Sequence, residues 1–355
     1  MILEDLGWNP ERAAAFTSCA DRGFVPARVA RQDRGGFAVW SIDGLFPAVL
    51  AGRLRRRSVD EVNVVAVGDW VAIDQQGGTT TIQEVLPRSS TCVRKSAGAI
   101  TSAQVIAANV DWLLLVSGLD GDFNPRRIER YLTFAWNSGA SPVIVLNKSD
   151  LCADVAQRVA TVEDIAIGVP VHALSATELA CNHALGPYLR RGKTVAMVGS
   201  SGVGKSTLIN ALLGDARQRT CEVRSDDDHG RHTTTRRELF ILPTGGVVID
   251  TPGMRELQLW ADASSLEATF HDIESLAQAC RFGDCSHSHE PGCAVLSALH
   301  SGELDAERLT SFRKLQRELR HLEIRQDHRA RLEEKARWKA IHKSVRKIGH
   351  KRSGR

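Results

Sequence analysis

The chain is 355 residues long, 43% hydrophobic and 25% charged, with a net charge of +4. No run approaches the roughly 18 consecutive apolar residues that a membrane span requires, and the opening stretch MILEDLGWNPERAAAF puts acids where a signal peptide needs positive charge. Membrane and secreted classes are thereby disfavoured, and the expectation is a cytoplasmic protein of two or three domains with reduced thiols.

In chain order, a leader over 1–23 comes before a β-rich stretch over 24–92. Its runs FVPARVA, GFAVWSI, FPAVLAG, DWVAID and TTTIQEVL are separated by RGG, DG and GG turn signals, the spacing of short strands in a small barrel. The tract RLRRR, with Arg53, Arg55, Arg56 and Arg57, is expected on a loop or strand end, where it gives the barrel a basic face for RNA or for solvent alone.

Over 93–260 the pattern changes. VDWLLLV, PVIVL, VPVHAL, KTVAMV and GVVID are short apolar runs of the kind buried parallel strands show, with helical segments such as PRRIERYLTFAWN between them. That alternation predicts a doubly wound α/β domain. NKSD at 147–150 follows PVIVL. Four polar residues after a strand are more often only a loop and a helix cap, but here Asp150 can accept both the N1–H and the exocyclic amine of guanine, a pair adenine does not offer. Asn147 and Lys148 would brace the loop and pack on the ring, and Ser175 and Ala176, after VPVHAL, match the backbone loop that meets guanine O6.

Next comes GSSGVGKST: Gly199, Ser200, Ser201, Gly202, Val203, Gly204, Lys205, Ser206 and Thr207. It follows the strand KTVAMV and opens the helix KSTLINALLG, the context in which a P-loop cradles phosphates with backbone N–H groups. Lys205 would reach the β- and γ-phosphates and Ser206 would bind Mg²⁺. DTPG at 250–253 closes the strand GVVID, so that Asp250 can hold the magnesium through water and Gly253 can offer its N–H to the γ-phosphate. The phosphate loop alone says only nucleoside triphosphate; with NKSD and Ser175–Ala176 it says GTP. Because the guanine loops precede the phosphate loops, the domain reads as a circularly permuted G domain, which keeps its site when natural ends lie close together.

Five of the eight cysteines, Cys19, Cys92, Cys152, Cys181 and Cys221, are scattered and are taken as small buried apolar residues. In a helical stretch over 261–300, Cys280, Cys285, His287 and Cys293 form C-x4-C-x-H-x5-C, a donor set for one closed, structural Zn²⁺. His289 is an alternative fourth ligand. A helical extension over 301–355 follows; from Arg308 it holds 17 Lys/Arg against 5 Asp/Glu, an excess of +12 that leaves −8 on the rest of the chain. Such asymmetry points to an anionic partner, nucleic acid first, and the final GHKRSGR is expected to be disordered.

The permuted order, the barrel ahead of it, the GRHTTT stretch at 230–235 and the cysteine cluster together resemble the bacterial ribosome small subunit-dependent GTPase A family over residues 24–300. The resemblance implies an OB-fold barrel, a permuted GTPase core and a zinc module. It also implies GTP hydrolysis to GDP on the 30S particle and its rRNA during late maturation. Separately, the free protein is expected to be a monomer. GRHTTT would then be the first switch, with His232 at the position of the family's catalytic histidine and one of Thr233 to Thr235, Thr234 or Thr235 preferred, on magnesium. Met254 stands where many small GTPases carry a water-orienting glutamine, so intrinsic hydrolysis should be slow and His232 is the replacement. Two other classes compete: an RNA-binding chaperone in which GTP is only a conformational ligand, and a P-loop kinase, disfavoured because no acceptor-site motif is evident.

Overall fold

A computed structural model describes residues 2–33, 35–60, 65–76, 78–95, 103–178, 180–214, 237–251, 263–320 and 322. His232 with Thr233 to Thr235, Gly253 with Met254, and the chain beyond 322 lie outside the described residues.

The N-terminal stretch packs against the barrel as part of its fold. Asn9 accepts the Arg12 N–H at 2.9 Å and Pro10 takes the first helical position, two start signals for helix α1 (Pro10–Ala20). With Leu6, that helix lays Phe16 and Cys19 onto Trp70, Ala72 and Leu86. Trp8 meets Trp70 edge to face at 4.8 Å.

Five strands, β1 (Val25–Asp33), β2 (Gly36–Ser41), β3 (Gly44–Leu50), β4 (Trp70–Asp74) and β5 (Thr80–Val85), pair in the order β1-β2-β3-β5-β4, and β4 returns to β1. Only the β3–β5 pair is parallel. This is the closed five-stranded barrel of an OB-fold, with Ala27, Val29, Val39, Ala48, Val71, Ile73 and Ile82 turned inward. The basic tract differs from expectation: RLRRR lies in a helix, α2 (Gly52–Asp60), between β3 and β4. Arginine is a good helix former, and one apolar residue, Leu54, is buried while Arg53, Arg55 and Arg56 face outward. Arg53 pairs with Glu84 at 2.5 Å.

A hairpin of β6 (Thr91–Lys95) and β7 (Ala103–Ala108) crosses residue 92 and leads into the α/β module. There β8 (Trp112–Gly118), β9 (Ser141–Asn147), β10 (Val171–Ala173), β11 (Thr194–Val198) and β13 (Val247–Asp250) run parallel, and β12 (Glu238–Ile241) is antiparallel. The order is β10-β9-β8-β11-β13-β12, and β12 pairs with β1 at Arg31↔Glu238, so barrel and module share one eleven-stranded sheet. β1 serves both with different residues: Val25 to Arg28 pair with β4 and Arg31 pairs with β12, on either side of a bulge between Val29 and Arg31. Helices α3 (Pro125–Ser138) and α4 (Val155–Ile165) cover one face, and α5 (Ala180–Leu185) and α6 (Lys205–Leu213) the other. Strand order reverses between β8 and β11. The crevice beyond the carboxyl ends of strands at such a point is where open α/β sheets take ligands.

Arg28 ties these parts together. Fully buried, it donates to the carbonyls of Leu6, of Gly68 at 3.2 Å and of Asn109 at 3.1 Å. Burial pulls its pKa down to about 9, so it remains a cation at neutral pH. No single element supplies its partners: they come from the N-terminal stretch, the barrel and the loop before β8.

The C-terminal module packs helices over 263–269, 271–277, 294–301 and 306–320. The last of these, expected as the start of a basic extension facing an anionic partner, is half core: Leu309, Phe312, Leu315 and Leu319 join Phe270, Ile273 and Val295. Arg308 also turns inward, with Asp272 at 2.6 Å and 2.7 Å and the buried Glu129 of α3 at 3.0 Å. Arg308 is thus withdrawn from the basic excess, while Lys314, Arg317 and Arg320 of the same helix are exposed; in the sequence from 323 on, 12 Lys/Arg stand against 4 Asp/Glu. Of the scattered cysteines, Cys19 and Cys92 are buried and Cys152 is partly so. Among the described residues no helix is long and apolar enough to cross a membrane.

Candidate nucleotide site and metal centre

Asn147, the last residue of β9, is 2% exposed and spends both ends of its amide within the site. Its Nδ2 donates to the Val203 carbonyl at 2.7 Å and its Oδ1 accepts the Ala176 N–H at 2.9 Å. One side chain thus fastens the 147–150 loop to the phosphate loop and to the 175–176 loop. The Ser149 N–H adds a bond to the Leu174 carbonyl at 3.2 Å. Ser175 and Ala176 are buried and Asp150 is exposed, which leaves its carboxylate open at the rim. Lys148 has a left-handed backbone, φ 65°, and its Nζ lies 2.6 Å from Asp120 Oδ2. That ammonium, through its hydrogen bond, holds Asp120 below the usual carboxylate range.

The phosphate loop leaves β11 beside β8 and opens α6. Glycine is required at two places in it. A Cβ on Gly199 would lie 2.3 Å from the Val116 carbonyl oxygen, and Gly204, at φ 95°, would press one to 2.2 Å from Asn147 Nδ2. Lys205 turns back over the loop, donating to the carbonyls of Gly199 at 2.7 Å and Ser200 at 2.6 Å. Ser201, Gly202, Ser206 and Thr207 are exposed, and Val203 is buried beneath. Asp250 ends β13 next to β11, and the buried Thr251 hydroxyl donates to the Met197 carbonyl at 3.1 Å. The structure therefore brings the predicted loops 147–150, 175–176 and 199–207 together at the strand-order reversal, with Asp250 one strand away.

Three residues here escaped the sequence reading: Asp120, which holds Lys148, and Arg127 and Tyr131 of α3, which reach the Ser200 hydroxyl at 2.5 Å and 3.4 Å. No motif marks them. A hint lay in PRRIERYL, where Arg127 and Tyr131 stand four apart and share a helix face.

In the C-terminal module Cys280, Cys285, His287 and Cys293 bring one donor atom each within 4.8 Å of one another, and His289 is not in the group. Around a tetrahedral zinc, with bonds of about 2.3 Å to sulfur and 2.0–2.1 Å to nitrogen, neighbouring donors stand about 3.8 Å apart for S to S and about 3.6 Å for S to N. The Cys280 and Cys293 sulfurs are 3.8 Å apart, and they lie 3.6 Å and 3.5 Å from His287 Nδ1. The donor set fits that ion with no position left open. Glu290 shapes the ligand loop by accepting the backbone N–H groups of Ser286, Ser288 and His289 at 3.0, 2.8 and 3.0 Å. Bonding to Ser286 and to this backbone keeps its carboxyl far below the ordinary range. Arg313 donates to the His287 carbonyl, so the helix over 306–320 holds the loop as well.

Comparison with known proteins gives one consistent family. A family model described as RsgA GTPase matches residues 85–260. The "Small ribosomal subunit biogenesis GTPase RsgA 1" of Oceanobacillus iheyensis is 46% identical over 89% of this chain and 91% of its own. The RsgA of Opitutus terrae is 46% identical over 98% of this chain and 97% of its own. Among solved structures, YjeQ from Thermotoga maritima matches with a TM-score of 0.59 at 27% identity, covering 83% of this chain and 98% of that one. YloQ, described as a circularly permuted GTPase, matches with the same TM-score at 23% identity over 84% and 96%, a likeness of fold.

Proposed function

Because the chain belongs to the RsgA GTPase family, we propose that this GTPase binds the small (30S) ribosomal subunit and its rRNA during assembly and leaves after hydrolysis. The observation that supports this most is Asn147, whose two bonds join the guanine loops to a phosphate loop some fifty residues later in the chain. In this reading Asp150 reads guanine, the stem of Lys148 packs on its ring, and the N–H groups of 199–206 cradle the phosphates. A base oxygen at the 175–176 loop would share the Ala176 N–H with Asn147. Lys205 would exchange the Gly199 and Ser200 carbonyls for phosphate oxygens. Ser206 and Thr234 would hold Mg²⁺, with Asp250 behind a water and Gly253 toward the γ-phosphate; the ion, when bound, neutralises charge on the transferring phosphoryl group. A zinc ion on Cys280, Cys285, His287 and Cys293 would fasten the C-terminal module and do no chemistry. We divide the chain as OB-fold 24–92, GTPase 93–260, zinc module 261–300 and extension 301–355, and expect a cytoplasmic monomer. The chaperone alternative is less favoured, since the relatives are named as GTPases.

Pelleting with purified small subunits tests the reading: the protein should co-sediment with a non-hydrolysable GTP analogue and be released with GDP. Equal binding in both states would sink it. His232, in the first switch, is the proposed group that orients or deprotonates the attacking water, because Met254 can neither donate nor accept the needed bond. His232→Ala should keep GTP affinity and subunit binding but lose most of a stimulation of about 10³-fold or more; full stimulation in that variant rejects the role.

The basic chain beyond 322 is the proposed rRNA-binding segment outside the barrel. A cut at Arg308 would remove Leu309, Phe312, Leu315 and Leu319 from the core, so the informative truncation falls after residue 322. It should leave GDP binding intact and flatten the salt dependence of subunit binding, by a log–log slope of about 0.7–0.9 for each phosphate that is no longer neutralised. Identical slopes would mark the segment as merely solvated.

A further inference from the structure

We propose that Arg127, in the first turn of α3, is a positioning residue for GTP hydrolysis that acts on the phosphate loop through the side chain of Ser200. The proposal rests on the nucleotide site described above and adds to it a residue outside all four nucleotide-loop motifs.

The placement starts from local sequence. Asn124 accepts the Arg127 N–H at 3.1 Å and Pro125 fixes the first helical position, which sets the phase of α3. Arg127 and Tyr131, one turn apart, then face the loop between β11 and α6. Arg127 Nη1 donates to Ser200 Oγ at 2.5 Å and to Asp122 Oδ2 at 2.5 Å, so the guanidinium is held between a carboxylate of its own loop and a hydroxyl of the phosphate loop. The Tyr131 hydroxyl approaches the same Ser200 Oγ at 3.4 Å. On the backbone side of the same residue, Lys205 Nζ grips the Ser200 carbonyl at 2.6 Å.

The loop is fastened at its start by the close fit of Gly199 on Val116 and further on by the Asn147 bond to the Val203 carbonyl; between these points Ser200 is anchored through its side chain, next to an open tip. A Cβ placed on Gly202 meets nothing within 4 Å, and Ser201 and Gly202 are exposed. The peptide unit is planar and trans, so the direction of the Ser200 carbonyl sets the opposite direction of the Ser201 N–H. Anchoring Ser200 therefore aims one of the amides the loop presents to phosphate. Phosphoryl transfer depends on positioning and on preorganised charge, and misplacement by about 1 Å can cost on the order of 10²-fold in rate. Loss of Arg127 should accordingly appear in turnover. GDP, which carries no γ-phosphate, should still be retained by the rest of the loop and by the base site.

The test is single-turnover GTP hydrolysis and fluorescent GDP binding by the full chain, for wild type, Arg127→Ala, Arg127→Lys, Ser200→Ala and the Arg127→Ala/Ser200→Ala double variant, with thermal melts as the check on folding. Ser200→Ala keeps every backbone N–H and removes only the anchor. Arg127→Ala and Ser200→Ala should each slow hydrolysis about tenfold with GDP affinity within about twofold of wild type, and the double variant should be no slower than either single one, as expected for residues acting as a unit. Arg127→Lys, which keeps one donor, should recover part of the rate. Full turnover in Arg127→Ala, or losses that multiply in the double variant, overturns the proposal. Wild type that fails to bind GDP would instead overturn the nucleotide site on which it rests.

Discussion

Asp150→Asn should turn the site from guanine toward xanthine. A carboxylate only accepts, and it can take both N–H donors on the Watson–Crick edge of guanine. An amide presents a donor to one of them and suits the extra carbonyl of xanthine. Hydrogen bonds to a charged group contribute about 1.5–3 kcal/mol each, so two of them correspond to roughly 10²-fold to 10⁴-fold in preference. Asp150 is exposed at the rim and forms no part of the core, so the fold should survive the change. Competition between GTP and xanthosine triphosphate for a fluorescent nucleotide would measure it. Unchanged preference for guanine would remove the 147–150 loop from base recognition.

Loss of the metal should have the largest effect on stability. Apparent zinc binding free energies in small structural sites run to about 10–16 kcal/mol, and here the ligands are part of the module's packing. Cys293 is 6% exposed, lies in the core with Phe270 and Val295, and its Sγ accepts the Leu296 N–H at 3.4 Å to start the helix over 294–301. Metal analysis of protein purified without chelator should find one zinc per chain. Cys293→Ala or strong chelation should release it and melt the module, with loss of helical circular dichroism. The melt should spread, because Arg308 joins Asp272 of that module to the buried Glu129 of α3, which would lose one of its two arginine partners and keep only Arg126, and breaking a buried ion pair is costly. Metal-free protein with an unchanged melt would refute a structural zinc.

The residues that do local work could be read from the sequence. A phosphate loop needs its glycines and lysine at fixed spacing, a guanine loop its aspartate after a buried strand, and a zinc site its donors close in sequence; each shows in a short window. The barrel's strands were visible for a similar reason, since turn residues and short apolar runs are local signals. What stayed hidden depends on pairing across the fold. Nothing in RLRRR says that Leu54 will be buried at the barrel while its arginine neighbours stay outside. Arg308 read as the first charge of a basic extension for an anionic partner, but its own partners are 36 and 179 residues away within the fold. Asp120 and Arg127 carry no motif, because strand pairing places them: β8 beside β9 brings Asp120 to Lys148, and β8 beside β11 brings Arg127 to Ser200. His287 and His289 differ by two positions in one loop, and only the folded loop, with Glu290 gathering its N–H groups, puts His287 among the cysteines.

Whether the small subunit completes this site is tested most directly by single-turnover hydrolysis of γ-labelled GTP, with and without purified small subunits, under conditions where all the nucleotide is bound. Slow hydrolysis by the protein alone and an increase of about 10³-fold or more with the subunit, largely lost in His232→Ala, is the expected result. A rate that does not change when the subunit is added, at concentrations where the two are shown to associate, would contradict a GTPase driven by its ribosomal partner.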